Sequence, residues 1–261
     1  MLQIGKCLLN IKKLVFEAAV TSSLLYSAES WFTDNTKPIE QQYNQLVRCL
    51  LGVRKNTSID LCFIESGISP LKHVLDIRRS TFLKTKLLDT DLEQPFLFTF
   101  RLCNEHRTTA YRFMSKSIEQ ITEHNPIQNS INCVCRKSLN GTKMNSYVNI
   151  LNTSLNVHPV YTTNIFIPDY HRESFTRLRL MSHNLKIETG RWSRIPPERR
   201  VCPCDNTQPQ TESHVLIDCT LTENIRLRYS TLDFSNVNSL LNEATHLSLL
   251  CKYVHEVLNH V

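Results

Sequence analysis

Val201-Cys-Pro-Cys-Asp-Asn-Thr-Gln-Pro-Gln-Thr-Glu-Ser-His-Val-Leu-Ile-Asp-Cys219 carries three cysteines and a histidine in the order C-x-C-x9-H-x4-C. Zn²⁺ takes four such ligands tetrahedrally, and a set made only of thiolates and imidazole leaves no position open for a substrate water. A site of that kind is structural: metal binding offsets the chain entropy of a segment too short to bury a core. The plain alternative is three buried cysteines and a surface histidine. Against it stand Pro203 and Pro209 between the candidates, the polar turn Asp205-Asn-Thr-Gln208, and Glu212-Ser213 ahead of the histidine. Cysteines in a hydrophilic loop make poor core and good ligands, so Cys202, Cys204, His214 and Cys219 are the expected zinc set. Two features depart from the common knuckle. The first pair is C-x-C rather than C-x2-C. His214 and Cys219 also lie five apart, which a regular α-helix would splay by about 140°, so a helix must begin or end between them. If His214 is a ligand, its second ring nitrogen should donate to a backbone carbonyl or to a carboxylate, with Glu212 and Asp218 at hand.

The segment that feeds this stretch is basic. Between Arg172 and Arg200 there are eight Lys/Arg against Glu173, Glu188 and Glu198, which accounts for nearly all of the chain's net charge of +6. Such a concentration implies a polyanionic partner. Arg177, Arg179, Lys186, Arg191, Arg194, Arg199 and Arg200 are the candidate phosphate contacts. Guanidinium forks suit phosphate oxygens, and such contacts position a strand without reading its sequence. The alternative is a solvated basic face, or pairing within the chain to Glu188 and Glu198. Trp192 either stacks on an unpaired base or plugs the join between basic run and knuckle, and the plug is the preferred reading. His183 reads as a surface or packing residue rather than a ligand.

Composition sets outer limits. With only five glycines a turn-rich all-β fold is disfavoured, because such folds often need positive-φ residues. Ten cysteines would suit a secreted disulfide scaffold. The chain is long for one, however, and Met1–Lys6 does not open like a signal peptide. Reduced thiols in the nucleus or cytoplasm are therefore expected, with Cys7, Cys49, Cys62 and Cys251 as core. The uncharged run from Ala18 to Ala28 is too short to cross a membrane.

Apolar residues recur at helical spacing over 6–32, from about Pro38 to Gly52, over 58–66, over 70–88 and over 244–259. Gly52 is a plausible C-cap and Gly67 a stop. Further helices are expected over about 95–103, 110–123 and 145–155, and around Phe175–Leu180. Thr220 is placed to cap a helix after the cysteines. The last helix presents Leu247, Leu250, Cys251, Val254 and Leu258 on one face, which needs a partner surface. Residues 125–170 are Asn-rich and weakly patterned, suiting a linker or an added layer. Cys133 and Cys135 there form a second C-x-C without further ligands nearby, so they read as strand or core cysteines. The division expected is 1–90, 91–170 and 171–261.

Three stretches together resemble the C-terminal part of reverse transcriptases of non-LTR (LINE-type) retrotransposons. Phe16-Glu-Ala-Ala-Val-Thr-Ser-Ser-Leu-Leu-Tyr-Ser-Ala-Glu-Ser-Trp31 looks like that family's thumb-region helix, whose usual pattern has glycine where this chain has Ser27. Leu50-Leu-Gly-Val-Arg-Lys-Asn-Thr57, Cys62-Phe-Ile-Glu-Ser-Gly67 and Pro70-Leu71 are similar to the segment after the polymerase palm. Arg177–Trp192, Glu198–Cys204 and Thr211–Cys219 resemble the basic run and zinc knuckle that close such polyproteins. The likeness covers roughly 1–90 and 172–230.

The resemblance implies a mainly α protein: a thumb-like helical bundle over 1–90, then a small zinc-knuckle region with flanking helices. It also implies binding to RNA or DNA without strong sequence preference. Catalysis is not expected of this chain. A polymerase needs paired carboxylates to hold two Mg²⁺ ions, and no two aspartates are adjacent here. Nor is there a phosphate-cradling glycine loop or a nucleophile elbow. The competing readings are a zinc-stabilised protein-interaction module that docks a partner or its own copy through the C-terminal helix, and a decayed reading frame.

Overall fold

The three- and four-residue spacing of apolar side chains becomes helix nearly everywhere in the computed structural model, which describes residues 8–28, 35–88, 95–108, 110–112, 114–115, 126–140 and 142–261. The protein is mainly α. Among the described residues its β structure is one isolated antiparallel bridge, Val201 to Pro209. Helix α1 (Leu9–Val15) runs through a π turn (Phe16–Thr21) into α2 (Ser22–Leu24). Then come α3 (Lys37–Leu51), α4 (Ile59–Ser66), α5 (Leu71–Leu88) and α6 (Pro95–Glu105). Next are α7 (Gln128–Ser138) and α8 (Thr142–Ser146), the latter continuing as a π turn over Tyr147–Leu151. The chain closes with α9 (Asp169–Arg179), α10 (Lys186–Trp192), α11 (Glu223–Arg228), α12 (Val237–Leu241) and α13 (Leu247–His260). The helix expected over 110–123 falls largely outside the described residues, as does Trp31.

The chain divides into two compact units, and they cut across the three sequence segments. One comprises Val15–Gln45 with Ser69–Gln128; the other gathers Met1–Leu14, Leu46–Ile68 and Asn129–Val261. In the first unit the Phe16 and Tyr43 rings meet at 5.3 Å. The Tyr43 hydroxyl donates to the Ser69 carbonyl at 2.9 Å, and Arg79 Nε donates to the Ala28 carbonyl at 3.2 Å. In the turn after α2, Ser27 has a φ of 54°. That is the left-handed region which glycine enters without steric cost.

The larger unit is built around α4. Leu61–Ser66 of this helix are all buried, while Asp60 at its start pairs with Lys137 at 3.2 Å. Glu65 is the charged residue of that buried run. Its carboxylate pairs with Arg179 of α9, both side chains being almost completely enclosed. It also accepts from the Tyr147 hydroxyl at 2.8 Å and the Asn152 amide at 3.1 Å. Arg179 Nη1 donates to the Leu241 carbonyl at 3.1 Å. Burial alone would lower the Arg179 pKa, but the Glu65 carboxylate outweighs it and holds the guanidinium above its ordinary value. His158 completes the network: Nε2 donates to Leu241 O at 2.9 Å and Nδ1 accepts from Val160 N–H at 3.2 Å. Glu65, Arg179 and His158 thus all have partners here, which a buried charge requires.

Of the two readings of the weakly patterned zone over 125–170, a linker or an added layer, the linker does not fit, since Val134, Tyr147, Leu151, Val160 and Tyr161 are core residues of the larger unit. One sequence expectation is corrected here. Cys133 and Cys135 lie on a helix, α7, rather than on a strand, and both are partly exposed. The apolar face of α13 already has its partner within the chain: Leu247, Leu250, Cys251, Tyr253, Val254 and Val257 are buried, packed chiefly against α9. Docking of another protein through that face would require unpacking this core.

Candidate metal centre and the basic segment around it

The knuckle begins as a minimal hairpin. Cys202 N–H donates to Gln208 O at 2.7 Å and Gln210 N–H to Arg200 O at 2.8 Å. Between them the Asp205 carboxylate accepts from the N–H groups of Thr207 and Gln208 at 3.0 and 3.2 Å. Those backbone donors draw its pKa down to about 2. Asn206 takes a φ of 55°, which asparagine tolerates well. Its N–H closes the turn onto Cys202 O at 2.9 Å. The hairpin thus turns both Cys202 and Cys204 toward one point.

The second half answers the problem of the five-residue spacing. His214–Asp218 is a π turn, closed by Cys219 N–H donating to His214 O at 2.7 Å. An i→i+5 closure is wider than the α turn and recurs at functional sites. The helix ends there, as the spacing demanded, and Cys219 leaves it in an extended conformation with φ −63° and ψ 127°. Thr211 Oγ1 caps the start by accepting from His214 N–H at 3.1 Å. Thr222 Oγ1 ties the exit by donating to Val215 O at 2.8 Å.

These two devices bring the four candidate ligands together. One ligand atom each from Cys202, Cys204, His214 and Cys219 lies within 4.8 Å of all the others. The Cys202 and Cys219 sulfurs are 3.7 Å apart, and Cys204 Sγ is 3.2 Å from His214 Nε2. A tetrahedral zinc with bonds of about 2.3 Å to sulfur and 2.0 Å to nitrogen holds neighbouring ligand atoms about 3.5–3.8 Å apart. The donor set and spacing therefore fit a metal ion. Desolvation, then the neighbouring Cys202 and Cys219, push the Cys204 thiol up to about 12. Thiols so crowded deprotonate readily only when a cation is present to compensate. The second nitrogen of His214 donates to neither carboxylate anticipated for it. Nδ1 meets the Gln208 side-chain oxygen at 2.9 Å, while Glu212 is taken by His183 Nε2 at 2.9 Å. His183 is buried and acts in packing.

The basic segment is not a uniform cationic face. Arg179 is fully buried in its pair with Glu65, so it cannot reach a phosphate. Arg200 is buried as well. Its Nε and Nη2 donate to Ile195 O at 2.8 and 2.6 Å, and Nη1 donates to Ile187 O at 2.6 Å. It fastens α10 to the hairpin rather than facing solvent. Arg191 pairs with Glu188 at 3.3 Å. Arg177 is exposed but donates to Gly52 O at 2.7 Å and to Glu173 at 3.3 Å. Lys186, Arg194 and Arg199 remain as exposed cations without a side-chain partner among the described residues. Trp192 is not a plug: it is 57% exposed, with the Arg54 guanidinium 4.5 Å from its ring centre. Composition alone could not separate the buried arginines from the exposed ones. Arg54, which that reading did not single out, enters only through this long-range contact.

No family model, no curated protein and no solved structure matches the chain. No described helix is long and apolar enough to cross a membrane.

Proposed function

We propose that this chain is a non-catalytic, C-terminal piece of a LINE-type reverse transcriptase, binding RNA or DNA through exposed cations that a structural Zn²⁺ site helps to hold in place. The observation that carries the reading is the meeting of two of the family-like stretches across more than a hundred residues of sequence. Arg54 N–H donates to Ser182 Oγ at 3.0 Å, Thr57 and Ser182 hydroxyls meet at 3.0 Å, and Arg177 donates to Gly52 O. These two stretches, which resemble one family at separate places in the sequence, are thus parts of one packed unit. Ser27, in a glycine-favouring conformation where the family pattern has glycine, supports the same reading.

Zn²⁺ fits the donor set better than Mg²⁺ or Ca²⁺, which take oxygen ligands. Bound by three thiolates and one imidazole it would fix the hairpin and the π turn to each other, and with them the backbone that carries Arg199. Binding should be salt-dependent and largely sequence-neutral, because it rests on phosphate contacts. The test is a salt series with structured RNA and with DNA, comparing the wild type with an Arg194→Gly/Arg199→Gln double variant. Arg194 has a φ of 53°, so glycine there removes the charge without straining the backbone. The expected result is a shallower salt slope, by roughly one to two phosphate contacts. An unchanged slope, or no binding at low salt, would remove the proposal.

A further inference from the structure

Besides the knuckle, the larger unit contains a polar cleft of about 350 Å³ between the Gly52–Arg54 loop, α9, the Ser182–Asn184 turn and the last turn of α13. Arg54 and Arg177 both line it, and the nearest carboxylate, Glu173, lies against Gly52 and on Arg177. Arg54 donates to the neutral side chain of Asn184, leaving its charge uncompensated by any ion pair among the described residues. Arg177 gives Nε to the Gly52 carbonyl and Nη2 to Glu173, so its remaining terminal nitrogen is the one that can meet a ligand. Desolvation, and after it the nearby Arg177 charge, hold the Arg54 pKa below its ordinary value. Two guanidinium groups that repel each other at a concave surface are relieved by an anion between them. At the rim, Arg54 covers one face of the Trp192 indole, and more than half of Trp192 is open.

We propose that this cleft takes the backbone of a single-stranded nucleic acid, with Arg54 and Arg177 meeting a phosphate and Trp192 stacking a flanking base. A duplex is the wrong partner, since its bases are already stacked and a volume of this size accommodates about one nucleotide. Base–indole stacking tolerates any sequence, because every base has a π face. The arginine on the other face of the ring adds a cation–π contact and fixes the indole plane before the strand arrives. This inference rests on the nucleic-acid reading above but names a different set of residues, so the two can fail separately.

The experiment uses the full zinc-loaded chain carrying Trp31→Phe, which leaves Trp192 as the only indole of the two in the sequence. Oligo-dT of about fifteen nucleotides, an abasic strand of the same length and a duplex are titrated while Trp192 emission is followed. The expected outcome is quenching by oligo-dT, weak quenching by the abasic strand and tighter binding of the single strand than of the duplex. Arg54→Gln and Trp192→Ala, the latter read by filter binding, should each weaken oligo-dT binding by about five- to a hundredfold. Circular dichroism and metal content should stay unchanged. If both variants bind oligo-dT like the wild type while Arg194→Gly/Arg199→Gln does not, the cleft inference is overturned and the broader reading stands. If the parent chain binds no nucleic acid at low salt, both are overturned.

Discussion

The methylenes of Arg200 lie where a side chain on Gly190 would be: a Cβ added there would sit 2.7 Å from Arg200 Cγ and Cδ. Glycine in the middle of a helix is unfavourable by itself. Here its missing side chain lets an arginine cross α10 closely enough to bind carbonyls on both sides of it. Gly190→Ala should therefore destabilise the protein by about 1–3 kcal/mol despite the better helix propensity of alanine. Arg200→Ala should do so by a similar or larger amount, because two carbonyls lose their donors. Urea midpoints would decide this. A Gly190→Ala variant as stable as the wild type would show that Arg200 is free to move aside.

The knuckle should hold about one zinc per chain, and Cys202→Ser or Cys219→Ser should abolish that content. Ligand thiols must lose protons to bind, so metal affinity should fall as the pH is lowered. Gln208→Ala is the more discriminating variant. It leaves all four ligands in place but removes the acceptor that orients His214, and should weaken zinc binding by about 10- to 100-fold in a competition titration with a chelator. Equal affinity would mean that the imidazole is oriented by something other than Gln208.

His158 makes the fold sensitive to acid. Burial, and then the Arg179 charge, lower its pKa from 6.5 to about 3, so the ring stays neutral in the folded chain and takes up a proton when unfolded. The sign follows: stability is fully present above pH 6.5 and falls as the pH drops toward 3, by up to about 1.4 kcal/mol per pH unit. His158→Gln, which retains a donor for the Leu241 carbonyl, should flatten the dependence between pH 5 and 6.5, where most carboxylates have not yet titrated. Chemical denaturation at three pH values in that window would measure it; parallel curves for the two proteins would refute it.

Ser27→Gly should stabilise the protein by about 1 kcal/mol, since an L-residue in the left-handed region carries roughly that steric cost. A lower melting temperature would show that the serine side chain contributes more than its backbone costs.

Periodicity located most helices because their apolar positions repeat every three or four residues, as in α3, α5 and α13. Over 126–170 it located only the helix expected at 145–155, which forms over Thr142–Leu151, because the π turn at Tyr147–Leu151 and a 3-10 turn at Pro159–Tyr161 place buried side chains at irregular steps. The four ligands were legible because all lie within one short stretch of sequence. The fate of the arginines was not. Charge predicts a surface, and nothing local to Arg179 reveals a carboxylate 114 residues away. Likewise the partner of α13 is α9, whose own sequence reads as a basic face rather than as one side of a core.

The meeting of Glu65, Arg179 and the Leu241 carbonyl also fixes a timetable. During synthesis the α4 carboxylate waits for an arginine 114 residues downstream, and that arginine waits for a carbonyl 62 residues further on. Arg179 lacks its full complement of bonds until Leu241 has emerged, and contacts this distant in sequence close slowly. The larger unit is thus committed late, and a ribosome stalled before α12 would hold a nascent chain with an incompletely satisfied ion pair at its centre, a substrate for chaperones rather than a smaller domain.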